Sequence, residues 1–223
     1  MRIHVDSTVY MKSSKVDRYV YNDVVQFLGT AKADIRAKPA RERILLTAHD
    51  LFYRDGIRST GIDSVIEQAG VTKVTFYRHF RSKNVLIVAY LEYRHERWMT
   101  WFTAALRRHG GTLPALVPTM AEWFRAPGYR GCAFINGVSE IAPALPQVSE
   151  ITRRHKTDMQ KAIAALLPPG RRRESLARAL ALVVDGSIVQ AQFRSDPEAV
   201  LRDLRQLVSF IGGERSQPQS SKV

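Results

Sequence analysis

The sequence predicts an all-α protein, and three observations predict it. Apolar residues recur three or four apart from Ile44 to Ile211, while no region alternates apolar and polar residues with period two. Glycines and prolines punctuate these runs, at Gly56, Gly70, Gly110-Gly111, Pro127-Gly128, Pro143, Pro146 and Pro168-Pro169-Gly170, where helices end or restart. Around Gly70 two short amphipathic runs meet at a tight turn, which is the pattern of a helix-turn-helix.

Residues 1–38 fit no sustained pattern. Val20, Val24, Val25 and Leu28 suit one short apolar face, but Ser13, Ser14 and scattered lysines and arginines surround it. Pro39 suits the first turn of a helix, where its missing N–H costs nothing. Ile44, Leu45, Ala48, Leu51 and Phe52 form the apolar face of that helix, which ends near Gly56. The next helix carries Ile62, Val65, Ile66 and Ala69 on one face, with Thr60 as its cap and Asp63 on its positive end. Gly70 stops it in a left-handed conformation that only glycine adopts at no cost, Val71 plugs the corner, and Thr72 caps the following helix. In that helix, about residues 72–80, Phe76 and Phe80 share the inward face. Lys73, Thr75, Tyr77, Arg78 and His79 remain outside, all of them hydrogen-bond donors. Such a surface suits nucleic acid, because the N-terminal part of the second helix of this motif enters the major groove and reaches base edges and phosphates. The competing reading is a generic helical corner with a solvated polar face.

The matching features are Ala48-x-x-Leu51-Phe52, Gly56, Thr60, Ala69-Gly70-Val71-Thr72-Lys73, Thr75-Phe76-Tyr77-Arg78-His79-Phe80 and Ser82-Lys83. On these, residues 44–91 resemble the DNA-binding domain of the TetR/AcrR family of bacterial transcriptional regulators. The resemblance implies a helix-turn-helix DNA-binding domain over 39–84 and a helical ligand-binding and dimerisation domain over 85–213. It puts Thr60, Lys73, Thr75, Tyr77, His79 and Lys83 on DNA-contacting positions, Tyr77 and Lys83 on phosphates. Thr72, Val74 and Arg78 complete the candidate DNA-binding set, although Val74 departs from the small residue or proline that most members carry there. For residues 1–38 three readings compete: a mobile basic arm on the DNA, a poorly ordered tail, or a start codon placed too far upstream.

Beyond the motif, Ser82 caps a long helix through Leu86, Tyr90, Trp98, Trp101 and Leu106, stopped by Gly110-Gly111. In the family this helix is the lever. Helices then follow over 113–124, 131–141, 148–167, 174–193 and 197–211, and the polar tail 214–223 is expected to be disordered. The last two helices carry more apolar surface than one packing face needs. Family resemblance makes them a four-helix dimer interface, for which Leu180, Val184, Ile188, Ala191, Leu201, Leu204 and Val208 are the candidates. A monomer with the same helices in its own core is the alternative.

An effector pocket would come from the middle helices. Trp98, Trp101, Phe102, Met120, Trp123, Phe124, Phe134 and Met159 could line it, with Asn136, Glu140, His155 and Gln190 as polar groups, and the same aromatics also suit ordinary core. The run Tyr129-Arg-Gly-Cys-Ala-Phe-Ile-Asn136 resembles an Arg-Gly-Cys-x-Phe-x-Asn signature in the ligand-binding domains of one TetR subgroup. Cys132, the only cysteine, suits a small buried hydrophobe or a redox sensor beside Arg130, and it rules out an intramolecular disulfide. His155 with Glu150 or Glu140 is a weak metal pattern, so no metal and no cofactor is expected.

A formal net charge of +13 favours a polyanionic partner. Arg107-Arg108, Arg153-Arg154 and Arg171-Arg172-Arg173 lie outside the motif and suit solvated helix faces and loops. No apolar stretch approaches the ~18 residues of a membrane helix, so the expectation is a cytoplasmic protein with no membrane partner. No nucleophile, base and orienting group fall into a pattern, so no catalytic residue is assigned. The expected function is a homodimeric regulator, a repressor, that binds a palindromic operator and is released by a small, largely apolar molecule. The alternative is a ligand-independent architectural or co-regulatory DNA-binding protein of the same fold.

Overall fold

The computed structural model describes residues 35–194 and 196–212, and among them the chain forms nine α-helices, two short 3-10 turns and no strand. Residues 1–34 of the expected N-terminal extension and the tail 214–223 lie outside the described residues.

Three helices make the head: α1 (Ala40–Asp55), α2 (Ile62–Ala69) and α3 (Lys73–His79). Ile44, Ala48, Phe52, Val65, Ala69, Phe76 and Phe80 turn their apolar faces to one another and are buried. Gly70 has φ 62°, and Val71 N–H donates to Ile66 O at 3.2 Å, which satisfies a carbonyl at the end of α2. Thr72 Oγ1 accepts from Thr75 N–H at 3.2 Å and starts α3. Thr60 does not cap α2; Gly61 holds that position. The Thr60 side chain is turned inward and donates to Gly56 O at 2.8 Å, which closes the loop after α1. Gly56 itself has φ 92° and donates its N–H to Phe52 O, so the α1 end needs a glycine.

Helix α4 (Lys83–Arg108) begins at Ser82, whose hydroxyl accepts from Val85 N–H. At about 1.5 Å per residue it runs roughly 40 Å from the head into the body. Its first half packs on α1, burying Leu86, Ile87, Tyr90, Leu91 and Arg94. The expected helix over 113–124 divides into a 3-10 turn (Leu113–Ala115) and α5 (Leu116–Phe124), because Pro114 and Pro118 remove two donors from its first turns. Helices α6 (Ala133–Ile141), α7 (Gln147–Ala164), α8 (Arg173–Gln192) and α9 (Glu198–Gly212) complete the body. Helix α7 packs on α4, α6 and α8, while α9 packs on α5 and α8.

That packing corrects one expectation. Leu180, Val184, Ile188 and Ala191 of α8 and Leu201, Leu204 and Val208 of α9 are all buried within the single chain. Each helix has two apolar faces, and the fold uses this one for its own core. The faces left to solvent carry Leu182 (75% exposed), Val189 and Phe193 on α8, and Leu207 and Phe210 (80% exposed) on α9.

Candidate nucleic-acid interface and interior cleft

Helix α3 presents one apolar side to the head and the rest to solvent. Phe76 is buried, whereas Lys73, Val74, Tyr77, Arg78 and His79 are exposed, with Thr72 exposed at the N-cap and Thr75 half-buried. Thr75 Oγ1 lies 2.9 Å from Thr72 Oγ1. Lys73 Nζ stands 3.8 Å from the Asp63 carboxylate, an exposed pair that water screens and a phosphate can displace. Val74 is 70% exposed and has no packing role, so it stands on the outer face of the helix beside the cations. Lys83, half-buried, has its pKa lowered by burial, with the Glu140 charge opposing the shift. The structure therefore brings eight of the nine predicted DNA-facing residues to the outside of α3 and the start of α4. Thr60 is the exception, because its hydroxyl is committed to the α1 end.

The predicted aromatic pocket has a different character. Trp98, Trp101, Phe102, Met120, Trp123, Phe124, Phe134 and Met159 are all buried, and their rings fill one another's space. Trp98 stacks on Phe102 at 4.5 Å and meets Trp123 edge-on at 5.6 Å. His155 stacks on Phe134 at 3.7 Å. Its Nδ1 lies 3.2 Å from Nδ1 of His95, whose own Nε2 lies 3.7 Å from Asp158, so its polar neighbour is His95 rather than Glu140 or Glu150. Burial lowers the pKa of both histidines. Among the described residues no three His, Cys, Asp or Glu side chains form a group that could hold a metal ion. Gln190 is exposed on α8 and accepts from Arg194. Cys132 is buried, and the cation beside its sulfur is Lys156 at 3.5 Å, itself bound to Asp185.

Open space lies elsewhere, at the junction of head and body. A cleft of about 340 Å³ is lined by the end of α1 and its loop (Phe52 to Ile57), by Tyr90, by Tyr129 and Arg130, by Ala133, Asn136, Gly137 and Glu140 of α6, and by Gln192. Of the predicted pocket residues, Asn136 and Glu140 reach it. Its frame is polar. Tyr53 Oη donates to Gly131 O at 3.0 Å and accepts from Arg130 N–H at 2.9 Å. Asn136 Nδ2 and Gln192 Nε2 both donate to Arg130 O, at 3.1 and 2.9 Å. Glu140 Oε2 accepts from Arg58 N–H at 3.0 Å, tying α6 to the head. Behind the cleft, Arg94 of α4 donates to His49 Nε2 at 3.1 Å and covers the Tyr53 ring at 4.0 Å, a second tie between α4 and α1. Tyr53, Tyr90, Arg130 and Gln192 are far apart in the chain, and no local spacing marks them.

Residues 44–90 match the family model described as bacterial regulatory proteins, tetR family. The crystal structure of a TetR-family transcriptional regulator from Streptomyces coelicolor is 32% identical, superposes with a TM-score of 0.69, and is covered over 96% of its length by 80% of this chain. The chain belongs to the TetR family. It is a DNA-binding transcriptional regulator with an N-terminal helix-turn-helix and a helical C-terminal domain, and its relatives are regulators, not enzymes. Two curated relatives match over short stretches. The transcriptional activator FasR of Mycolicibacterium smegmatis is 33% identical over 67 residues, which are 30% of this chain and 31% of FasR. The regulator YerO of Bacillus subtilis is 38% identical over 53 residues, 24% of this chain and 18% of YerO. The chain thus matches less than a third of either protein. The multidrug binding protein EbrR, solved in complex with malachite green, shares the TetR fold at 19% identity and a TM-score of 0.60, over 77% of this chain and 96% of its own. No helix among the described residues is long and apolar enough to cross a membrane.

Proposed function

We propose that this chain is a cytoplasmic, ligand-responsive repressor that binds a palindromic operator as a homodimer and leaves it when a small molecule binds the body. The observation that carries the DNA half is α3, which turns Phe76 inward and holds Lys73, Val74, Tyr77, Arg78 and His79 outward on one short helix. A helix of seven residues reads few bases, so two of them, about 34 to 36 Å apart, are needed to read an inverted repeat. The exposed apolar faces of α8 and α9 supply the seam for a two-fold pair. In this reading 39–84 is the DNA-binding domain and 85–213 the effector and dimerisation domain, with Thr72, Lys73, Val74, Thr75, Tyr77, Arg78, His79 and Lys83 at the DNA.

Ligand response is supported by the placement of the cleft against both α1 and α6. A molecule there favours one separation of head and body, and so one spacing of the two recognition helices, by population shift. An apolar effector fits the interior less well than the sequence suggests, because the aromatic layer around Trp98 is already packed with its own rings.

Fluorescence anisotropy with an inverted repeat selected from random DNA tests this reading. Affinity is expected to fall steeply with salt, because phosphate contacts release counterions. Tyr77→Phe is expected to weaken all sequences alike by roughly 0.5 to 1.5 kcal/mol through one lost phosphate hydrogen bond. Lys73→Ala is expected to weaken binding further and to flatten the salt slope by about one. Parent-like binding by both variants would remove α3 from the DNA.

A further inference from the structure

We propose that the head–body cleft is a binding site for a small carboxylate, held between the Arg130 guanidinium at its rim and the Tyr90 hydroxyl in its wall. This deepens the ligand-responsive reading above and, for its regulatory consequence, rests on it.

The two carboxylates of the cleft each already hold a hydrogen-bond donor. Asp55 takes two hydrogen bonds from Arg54, at 2.8 and 2.6 Å, and Glu140 takes the Arg58 N–H. Tyr53 Oη both donates and accepts, and the Asn136 and Gln192 amides are engaged with Arg130 O and each other. Two groups are left. Arg130 has its backbone anchored by three hydrogen bonds, and its guanidinium, whose charge helps to hold the Asp55 carboxyl below its ordinary value, makes no direct hydrogen bond to any described residue. Tyr90 is 1% exposed, lines the cleft, and its hydroxyl is hydrogen-bonded by no described residue. The ring is buried while the hydroxyl borders the open cleft, so a ligand lodged there can take the place of water as its hydrogen-bonding partner.

The charge and geometry of these two groups set the ligand class. A guanidinium is a fork of donors with no acceptor, and its best partner is a carboxylate. A cation would face the Arg130 charge and would have to share acids that already hold Arg54 and the Arg58 N–H. The volume of about 340 Å³ is at the small end of ordinary ligand pockets, and the Tyr90 and Tyr129 rings border it among mainly polar groups, which suits a small flat body with two polar ends. A small aromatic acid with a second hydrogen-bonding group meets all three conditions. Lodged there, it contacts the α1 end from one side and α6 from the other, which is where the head would be held or released.

Calorimetry on the full chain with 4-hydroxybenzoate, benzoate and 4-hydroxybenzamide as probes tests the assignment. 4-Hydroxybenzoate is expected to bind saturably, with each of the other two about tenfold weaker. Tyr90→Phe keeps the ring packing and is expected to abolish the contrast between 4-hydroxybenzoate and benzoate. Arg130→Gln, on an exposed side chain, is expected to abolish the contrast between acid and amide. No saturable binding by the parent, or unchanged contrasts in both variants, overturns the site. Anisotropy of labelled operator separates this from the regulatory reading. Binding with these contrasts while operator stays bound at saturation keeps the site and removes the effector role. Release of operator by other compounds, equal in parent and Tyr90→Phe/Arg130→Gln double variant, keeps the response and overturns the site.

Discussion

Leu204→Arg is expected to leave no stably folded protein, whereas Phe210→Glu, six residues further along the same helix, is expected to give a folded monomer. Leu204 is 1% exposed and α9 packs it against α5 and α8. An arginine there is set among the apolar side chains of the core, and an unpaired buried charge costs about 3 to 5 kcal/mol or more on top of the lost packing. Against a total stability of about 5 to 15 kcal/mol that is enough to unfold a large share of the chain. Phe210 is on the opposite side and 80% exposed, so its replacement removes nothing from the core. With Leu182, Phe193 and Leu207 it belongs to the apolar face proposed as the seam, and a glutamate there would be buried against its own symmetry mate. Thermal melts followed by circular dichroism, sedimentation and operator anisotropy give the result. The Leu204 variant should lose its cooperative transition. The Phe210 variant should keep a transition, sediment as a monomer at micromolar concentration and lose at least about a hundredfold in operator affinity, because a single α3 contacts only half a site. A Phe210→Glu protein that stays dimeric and binds operator like its parent would place the seam elsewhere.

Acidification from pH 6.5 to 4 is expected to destabilise the head–body junction by about 3 kcal/mol through His49 alone. Its pKa is lowered from 6.5 to about 4, first by burial and further by the charge of Arg94, with Asp50 pulling the other way. Between those two values the unfolded chain takes up a proton that the folded chain refuses. The contribution of His49 is therefore complete above pH 6.5, falls as pH drops, and is gone at about pH 4, where both states are protonated. A pKa lowered from 6.5 to about 4 corresponds to about 3 kcal/mol. His155, whose pKa burial lowers well below its ordinary value, acts with the same sign in the body. Urea unfolding at pH 7.5 and pH 4.5 measures the loss. His49→Gln keeps an acceptor for Arg94 and carries no proton equilibrium, so its stability should vary less with pH than that of the parent. An unchanged pH slope in that variant would remove His49 as the cause.

The head was readable because its determinants are local. Thr72 reaches Thr75, Ser82 reaches Val85, and Gly70 ends α2 with a single backbone conformation, each within four residues of its partner. Phe76 and Phe80 are one turn apart, so helical geometry alone separates them from the exposed side of α3. Thr60 differs from its expected capping role for a physical reason. A hydroxyl just before a helix can accept from that helix or donate back to the preceding one, and the choice depends on how the loop after Gly56 folds.

By itself, then, the sequence determined an all-helical chain, the boundaries of its helices to within a few residues, and a short second helix of the helix-turn-helix with a donor-rich outer face. Those features follow from 3.6-residue periodicity and from capping, which operate over one or two turns. Tertiary structure alone decided which apolar face of α8 and α9 is core, since Leu204 and Phe210 are equally apolar and only the positions of α5 and α8 distinguish them. It also decided that the rings around Trp98 fill their own space, and that Tyr90, Arg130 and Glu140 meet around one cleft. Periodicity says which side chains share a face, but what that face touches is fixed by packing between segments that can be eighty residues apart.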